Sequence, residues 1–449
     1  MKRQHRISPV RVVSAGFIIL ILLGAMLLNT SFASLDGSAP GFINALFTAT
    51  SAVCVTGLNV LNTGLYWSAI GKGIIICLIQ IGGLGFMTVA ALLSFVLRRK
   101  ITLKERMIMA EALNRENLNG VVKLTSNVIK GTFIFEALGA VVLTLRFSVD
   151  YPLPEAMAKG IFHSISAFCN AGFDILGGTG DTGSLGMYRH DPVVNFTVMF
   201  LIIMGGLGFY VWTDIVKERS WHRFHTQTKI VLTVTLILIF GGTLLIFLFE
   251  YNNPATIGSM TTAEALMASM FQSVTCRTAG FETIPQANFY LPTKLISVIL
   301  MFIGGSPGST AGGIKTVTFA VLVMSSVSVV RGRQHTNVFK RRIKPELIRR
   351  SVSVVMLAIA VVIVSLVAIC VLEPSLRLDE VLFEVVSAFA TVGLTCSVTP
   401  SLGTVSRLLI ILLMYFGRIG ILTFSMALAE KADKSDDLYQ YADAHISVG

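Results

Sequence analysis

The sequence predicts an all-α membrane protein: eight transmembrane helices in four M1–P–M2 pore-loop repeats around one central pore. M1 and M2 are spanning helices; P is a helix too short to cross, followed by a bend at glycine. Three observations predict this. The 449-residue chain is 53% hydrophobic and only 14% charged, with mean hydropathy +0.75, whereas a soluble domain averages roughly 25% charged residues. Apolar runs near 12–28, 73–97, 128–149, 193–213, 230–249, 295–330, 351–372 and 405–429 are mostly long enough to cross a hydrocarbon core. Between them one short pattern occurs four times, as FTATSAVCVTGLN (47–59), FHSISAFCNAGFD (162–174), MFQSVTCRTAGFE (270–282) and FEVVSAFATVGLT (383–395).

The repeats cover 12–97, 128–213, 230–330 and 351–429, and a polar tail follows at 430–449. Their aligned glycines, Gly57, Gly172, Gly280 and Gly393, are 115, 108 and 113 residues apart, and repetition at long period is the signature of an array. Each repeat begins and ends on the same side of the membrane. Parallel repeats of this kind suit rotation about the membrane normal, unlike the inverted repeats common in transporters.

Charge sets the orientation. Of the 36 Lys and Arg, 25 fall in 1–11, 98–125, 214–229, 331–350 and 430–449. The intervening stretches 30–70, 147–192, 251–293 and 372–404 hold four basic residues (Lys159, Arg189, Arg277, Arg377) against twelve acidic ones, a net charge of −8. Excess Lys and Arg marks the cytoplasmic side, so both termini are expected inside. The acidic outer face concentrates cations. The distribution, rather than the net charge of +11, decides against nucleic-acid binding. The first apolar run reads as a spanning helix and not a cleaved signal, because the other three repeats keep theirs. The six cysteines form no CxxC pair and read as small buried hydrophobes.

A helix ending in extended backbone is costly in lipid unless its free N–H and C=O groups line a water-filled cavity or are buried in protein. Four such breaks around one axis present rings of carbonyls to a dehydrated cation. The residues concerned are Val55, Thr56 and Gly57; Asn170, Ala171 and Gly172; Thr278, Ala279 and Gly280; and Thr391, Val392 and Gly393. Glycine permits the backbone angles that turn carbonyls toward the axis. No carboxylate lies among these twelve, which disfavours divalent ions. The expected ion is K+, bound only at these carbonyls.

Glycine-rich patches follow on each M2, and those at 82–86 and 205–209 are expected to serve helix packing. The third is different: Gly304, Gly305, Ser306, Pro307, Gly308, Ser309, Thr310, Ala311, Gly312 and Gly313 cannot form a stable helix. It predicts an intramembrane loop that obstructs the pore and moves for conduction. Arg418, inside a span at the level of that loop, is expected to donate to loop carbonyls or to pair with Glu136. Arg277 is expected to reach a carbonyl or an outer acid, Lys315 to extend toward the cytoplasm, and His163 to be a packed residue. No strands, nucleotide-binding turn, metal-ligand spacing or nucleophile–base pair is evident, so no enzyme and no cofactor are expected.

RTAGF in the third tail, GGxGF in the early M2 segments and GGSPGSTAGGIKT in the third resemble the Trk/Ktr/HKT superfamily of cation transporters, most closely the bacterial Ktr-type membrane subunit. The resemblance covers essentially the whole chain. It implies K+ uptake, with the four glycines as selectivity-filter glycines, residues 304–313 as the gating loop and Arg418 as the pore arginine. In related plant transporters a serine at the first filter position accompanies Na+ preference, so Gly57 implies K+ selectivity. The second segment, CNAGF, departs most from the K+ signature. The resemblance also implies a homodimer with one pore per subunit, docked on a cytosolic ring of nucleotide-binding RCK-domain subunits. Na+ enters as an activator left open. The alternative is a Na+- or H+-coupled K+ symporter, which needs carboxylates inside the bundle, such as Glu136.

Overall fold

The computed structural model describes residues 9–85, 88, 91–92, 94, 101–112, 120–177 and 184–420. The predicted tail at 430–449 and the far ends of the first and last M2 runs lie outside them. Among the described residues four single helices are long and apolar enough to cross a membrane, and they are the four predicted M1 segments. They are α1 (Pro9–Leu28), α5 (Val121–Phe147), α9 (Thr226–Glu250) and α13 (Pro345–Leu372).

The pore helices are α2 (Phe42–Cys54), α6 (Leu153–Phe168), α10 (Thr262–Thr275) and α14 (Leu378–Phe389). Their starts are encoded locally. Thr261 and Glu264 form a reciprocal capping box on α10, which satisfies two end donors at once. Pro154 sits in the first turn of α6, where no N–H is needed.

Outside the third repeat, whose predicted interruption lies at 304–313, the M2 segments depart from the prediction of simple spanning helices. They are α3 (Ala69–Leu84), α7 (Pro192–Gly206), α11 (Leu291–Phe302) and α15 (Thr404–Ile419). Each stops at its glycine patch. Gly85, Gly208 and Gly420 have φ of +80°, +91° and +90°, angles that only glycine adopts readily. After Gly208 the chain turns by 93° into α8 (Phe209–Glu218). The patches at 82–86 and 205–209 therefore break helices as well as packing them.

Each M1 packs on its own pore helix, as α1 on α2, α5 on α6, α9 on α10 and α13 on α14. Each M2 packs on the next pore helix: α3 on α6, α7 on α10, α11 on α14, and α15 back on α2. That cyclic order closes the four repeats around one axis. The described residues also include α4 (Leu103–Ala112), α12 (Thr316–Val330) and a two-stranded hairpin, β1 (Asn337–Val338) with β2 (Arg341–Arg342). Strands were not expected. The hairpin turns on Phe339 and Lys340, both at positive φ, the geometry that matches the twist of a tight hairpin. Cys77 is exposed and Cys370 half-exposed, whereas the other four cysteines are buried as expected.

Candidate ion pathway

The four aligned glycines meet in a ring. A Cβ placed on Gly57 would lie 2.6 Å from the Ala171 carbonyl oxygen, and one on Gly172 2.7 Å from that of Ala279. On Gly280 it would lie 2.3 Å from the Val392 oxygen, and on Gly393 2.1 Å from that of Thr56. Each segment thus abuts the next, with no room for a side chain. The residue two positions before each glycine is also left-handed: Val55 at φ +57°, Asn170 at +59°, Thr278 at +65° and Thr391 at +52°. Three of these are β-branched, for which positive φ is a true outlier and marks a site held by its surroundings. Reversing backbone hand at alternate residues turns successive carbonyls to the same side.

The pore helices hold these segments by hydroxyl groups. Ser51 Oγ accepts from Gly57 N at 3.0 Å and Ser387 Oγ from Gly393 N at 3.1 Å. Ser166 and Thr275 instead donate to the carbonyls of Phe173 and Phe281, at 2.8 and 2.7 Å. Sequence reasoning passed over them, although a Ser or Thr stands five or six residues before every glycine. The hydroxyls of Thr56, Thr278 and Thr391 are buried with no partner among the described residues.

The M2 glycines carry the same near-symmetry. A Cβ on Gly82, Gly205 or Gly417 would lie 2.0, 1.9 or 1.8 Å from the carbonyl oxygen of Val53, Phe168 or Phe389, each four residues before a ring glycine. Gly304, at the matching place in the third repeat, meets the Gly312 oxygen of its own loop instead.

The glycine-rich loop joins α11 to α12 and lies against the ring's inner end. Gly312 and Gly313 contact Thr391 and Ala390. Ser306 N donates to Gly206 O at 3.0 Å, Thr310 N to Gly205 O at 3.2 Å, and Thr310 Oγ1 to Phe168 O at 3.2 Å. Phe209 N donates to Gly308 O at 2.9 Å. The Arg418 guanidinium donates to the carbonyls of Thr310 and Gly82, and to Gly83 O at 3.0 Å. It ties the loop to the first repeat. Its alternative partner, Glu136, accepts from Gln80 at 3.1 Å.

Other expectations are corrected. Lys315 folds back, donating to Ala311 O at 2.7 Å, because that loop carbonyl lies only four residues away along the chain. The Arg277 Nε is buried with no partner among the described residues. It lines a small cavity with Thr235, Gly206 and Gly305, and its Nε meets neither an acid nor a carbonyl among the described residues. His163 is fully buried, as a packed residue should be, but it is also hydrogen-bonded at both ring nitrogens.

Four short helices thus end at a ring of closely packed glycines, with a glycine-rich loop beside it. The family model described as TrkH, cation transport protein, matches residues 8–440, and the chain belongs to that family, whose members are transporters and not enzymes. It is 39% identical to the potassium/sodium uptake protein NtpJ of Enterococcus hirae, over 99% of this chain and 98% of that one. It is 39% identical to the Ktr system potassium uptake protein B of Bacillus subtilis, over 99% and 97%. Its fold matches the potassium transporter TrkH from Vibrio parahaemolyticus with a TM-score of 0.71, at 16% identity, covering 95% of this chain and 86% of that one.

Proposed function

We propose that the chain is the ion-conducting subunit of a potassium uptake system. The observation that carries this is the closed ring at Gly57, Gly172, Gly280 and Gly393, whose neutral carbonyls suit a monovalent cation. The hydroxyls of Thr56, Thr278 and Thr391, buried without a partner among the described residues, add oxygen beside the ring. K+ enters from the acidic outer face, sheds water at the ring and moves inward. The drive is the membrane potential, about 2.3 kcal/mol per charge per 100 mV.

The loop at 304–313 is the gate in this reading. Its links to Gly205, Gly206, Phe168 and Arg418 hold it across the inner end, and Arg418 adds a positive charge beside the path. The basic face is cytoplasmic, and a homodimer docked on a cytosolic RCK-domain ring supplies regulation. A coupled symporter is less well supported: Glu136 and Glu250, carboxylates buried in spanning helices, are taken up by protein donors.

The test is K+ and Na+ uptake, measured separately in a host lacking its own K+ uptake systems. The chain is expressed alone and with an RCK-domain partner. K+ uptake that rises with the partner is expected. Movement of neither ion, with the protein present in the membrane, refutes the proposal.

A further inference from the structure

The ring is nearly four-fold in backbone, but one pair of positions behind it is joined by a polar link in only two of the four repeats. The position nine residues before each ring glycine lies on a pore helix, and the position two residues after lies where the chain leaves the ring. In the second repeat these are His163 and Asp174, and His163 Nε2 stands 3.1 Å from Asp174 Oδ1. In the fourth they are Glu384 and Thr395, and Thr395 Oγ1 donates to Glu384 Oε2 at 2.6 Å. The same two places thus hold a polar strut in both repeats, built from different side chains. Both helix residues are buried, His163 at 0% and Glu384 at 1% exposure.

The struts are themselves fixed. His163 Nδ1 is 2.7 Å from its own helix's Lys159 carbonyl oxygen, and Asp174 Oδ1 also accepts from Leu176 N at 2.7 Å. Glu384 accepts a second bond from Thr399 Oγ1.

At these two places the first and third repeats show no such link among the described residues; the third has a different one, Gln272 Nε2 donating to Gln286 Oε1 at 2.6 Å. Thr48 donates to Asn44 O of its own helix at 3.0 Å, and its counterpart Asn59 folds back onto Gly57 O at 2.8 Å. The third repeat has Phe271, which cannot hydrogen-bond; its Glu282 instead accepts from Thr395 N of the fourth repeat at 3.3 Å. Repeats with and without this particular link alternate around the ring, since the repeats follow in cyclic order.

We propose that His163–Asp174 and Glu384–Thr395 are paired positioning struts that hold two opposite ring segments rigid and set ion preference. Discrimination between K+ and a smaller ion depends on how far ring carbonyls can move inward. A buried polar strut resists that movement, because leaving its carboxylate unpaired is costly. The inference rests on the proposed K+ function.

The experiment compares K+ and Na+ uptake, at matched amounts of membrane protein, for the full chain and six variants. His163→Leu and Glu384→Leu remove a strut while keeping the site filled. His163→Gln and Glu384→Gln keep a hydrogen bond to Asp174 and Thr395. Thr48→Val and Phe271→Leu alter the equivalent buried positions that carry no strut. Each Leu variant at 163 or 384 is expected to lose about tenfold in preference for K+ over Na+, the equivalent of one hydrogen bond. The Gln variants should recover most of it, and the variants at 48 and 271 should keep wild-type preference. Leu variants that only reduce protein amount, with wild-type preference in what remains, overturn the proposal, as does equal loss at 48 and 271. A wild-type chain that moves no cation overturns the proposed function itself, and this inference with it.

Discussion

Replacing Arg418 by methionine tests the glycine-rich loop as a barrier. Of the guanidinium's three carbonyl partners, Gly82 and Gly83 belong to the surrounding frame and Thr310 belongs to the loop. Only the bond to Thr310 must break when the loop leaves. A hydrogen bond from a charged donor contributes about 1.5–3 kcal/mol, and each 1.4 kcal/mol is a factor of about ten in an equilibrium. Losing it should shift the closed-to-open ratio by roughly 10- to 150-fold. The other loop links, at Gly205, Gly206 and Phe168, remain, so the gate is weakened and not abolished. Removing a positive charge from the path acts in the same direction. The assay is potassium-driven uptake of radioactive rubidium into liposomes holding the purified chain without a partner. Arg418→Met should raise basal flux by an amount in that range. Arg418→Lys keeps the charge with poorer reach to three carbonyls and should fall between. Unchanged flux in Arg418→Met, at matched protein per vesicle, would refute the loop-tether reasoning.

Gly393→Ala would set a methyl group 2.1 Å from the Thr56 oxygen at a φ of +95°, so the ring must open; K+ uptake in the deficient host should be lost while the protein still reaches the membrane. Gly417→Ala sets its methyl 1.8 Å from the Phe389 oxygen, away from the ring itself; helix and pore helix must separate, and the amount of folded protein on size-exclusion chromatography should fall. Thr261→Ala removes half of the capping box on α10, at a cost of about 1 kcal/mol; the melting temperature in detergent should drop, and Thr261→Ser should restore it.

Much of the scaffold was legible. The M1 runs are long and apolar, and helix starts such as Thr261–Glu264 are local patterns. The ring glycines showed through a repeated motif, and the structure brings all four together in cyclic order. The broken M2 helices were only half legible. Gly82 and Gly205 read as packing residues and do pack, but Gly85 and Gly208 also reverse the backbone. The left-handed Val55, Thr278 and Thr391 run against the preference of β-branched residues, so no local rule would select them. Arg418 was recognisable as costly, whereas the choice among its offered partners was open.

Local composition and spacing are enough to encode helices and the positions where a helix must stop, because those depend on neighbours within a few residues along the chain. The partners of Arg418, Lys315, Ser166 and the glycine-rich loop are backbone carbonyls, up to 336 residues away. Every residue carries a carbonyl, so such an acceptor leaves no mark in the sequence. It is chosen only when the packed helices bring one particular oxygen within reach.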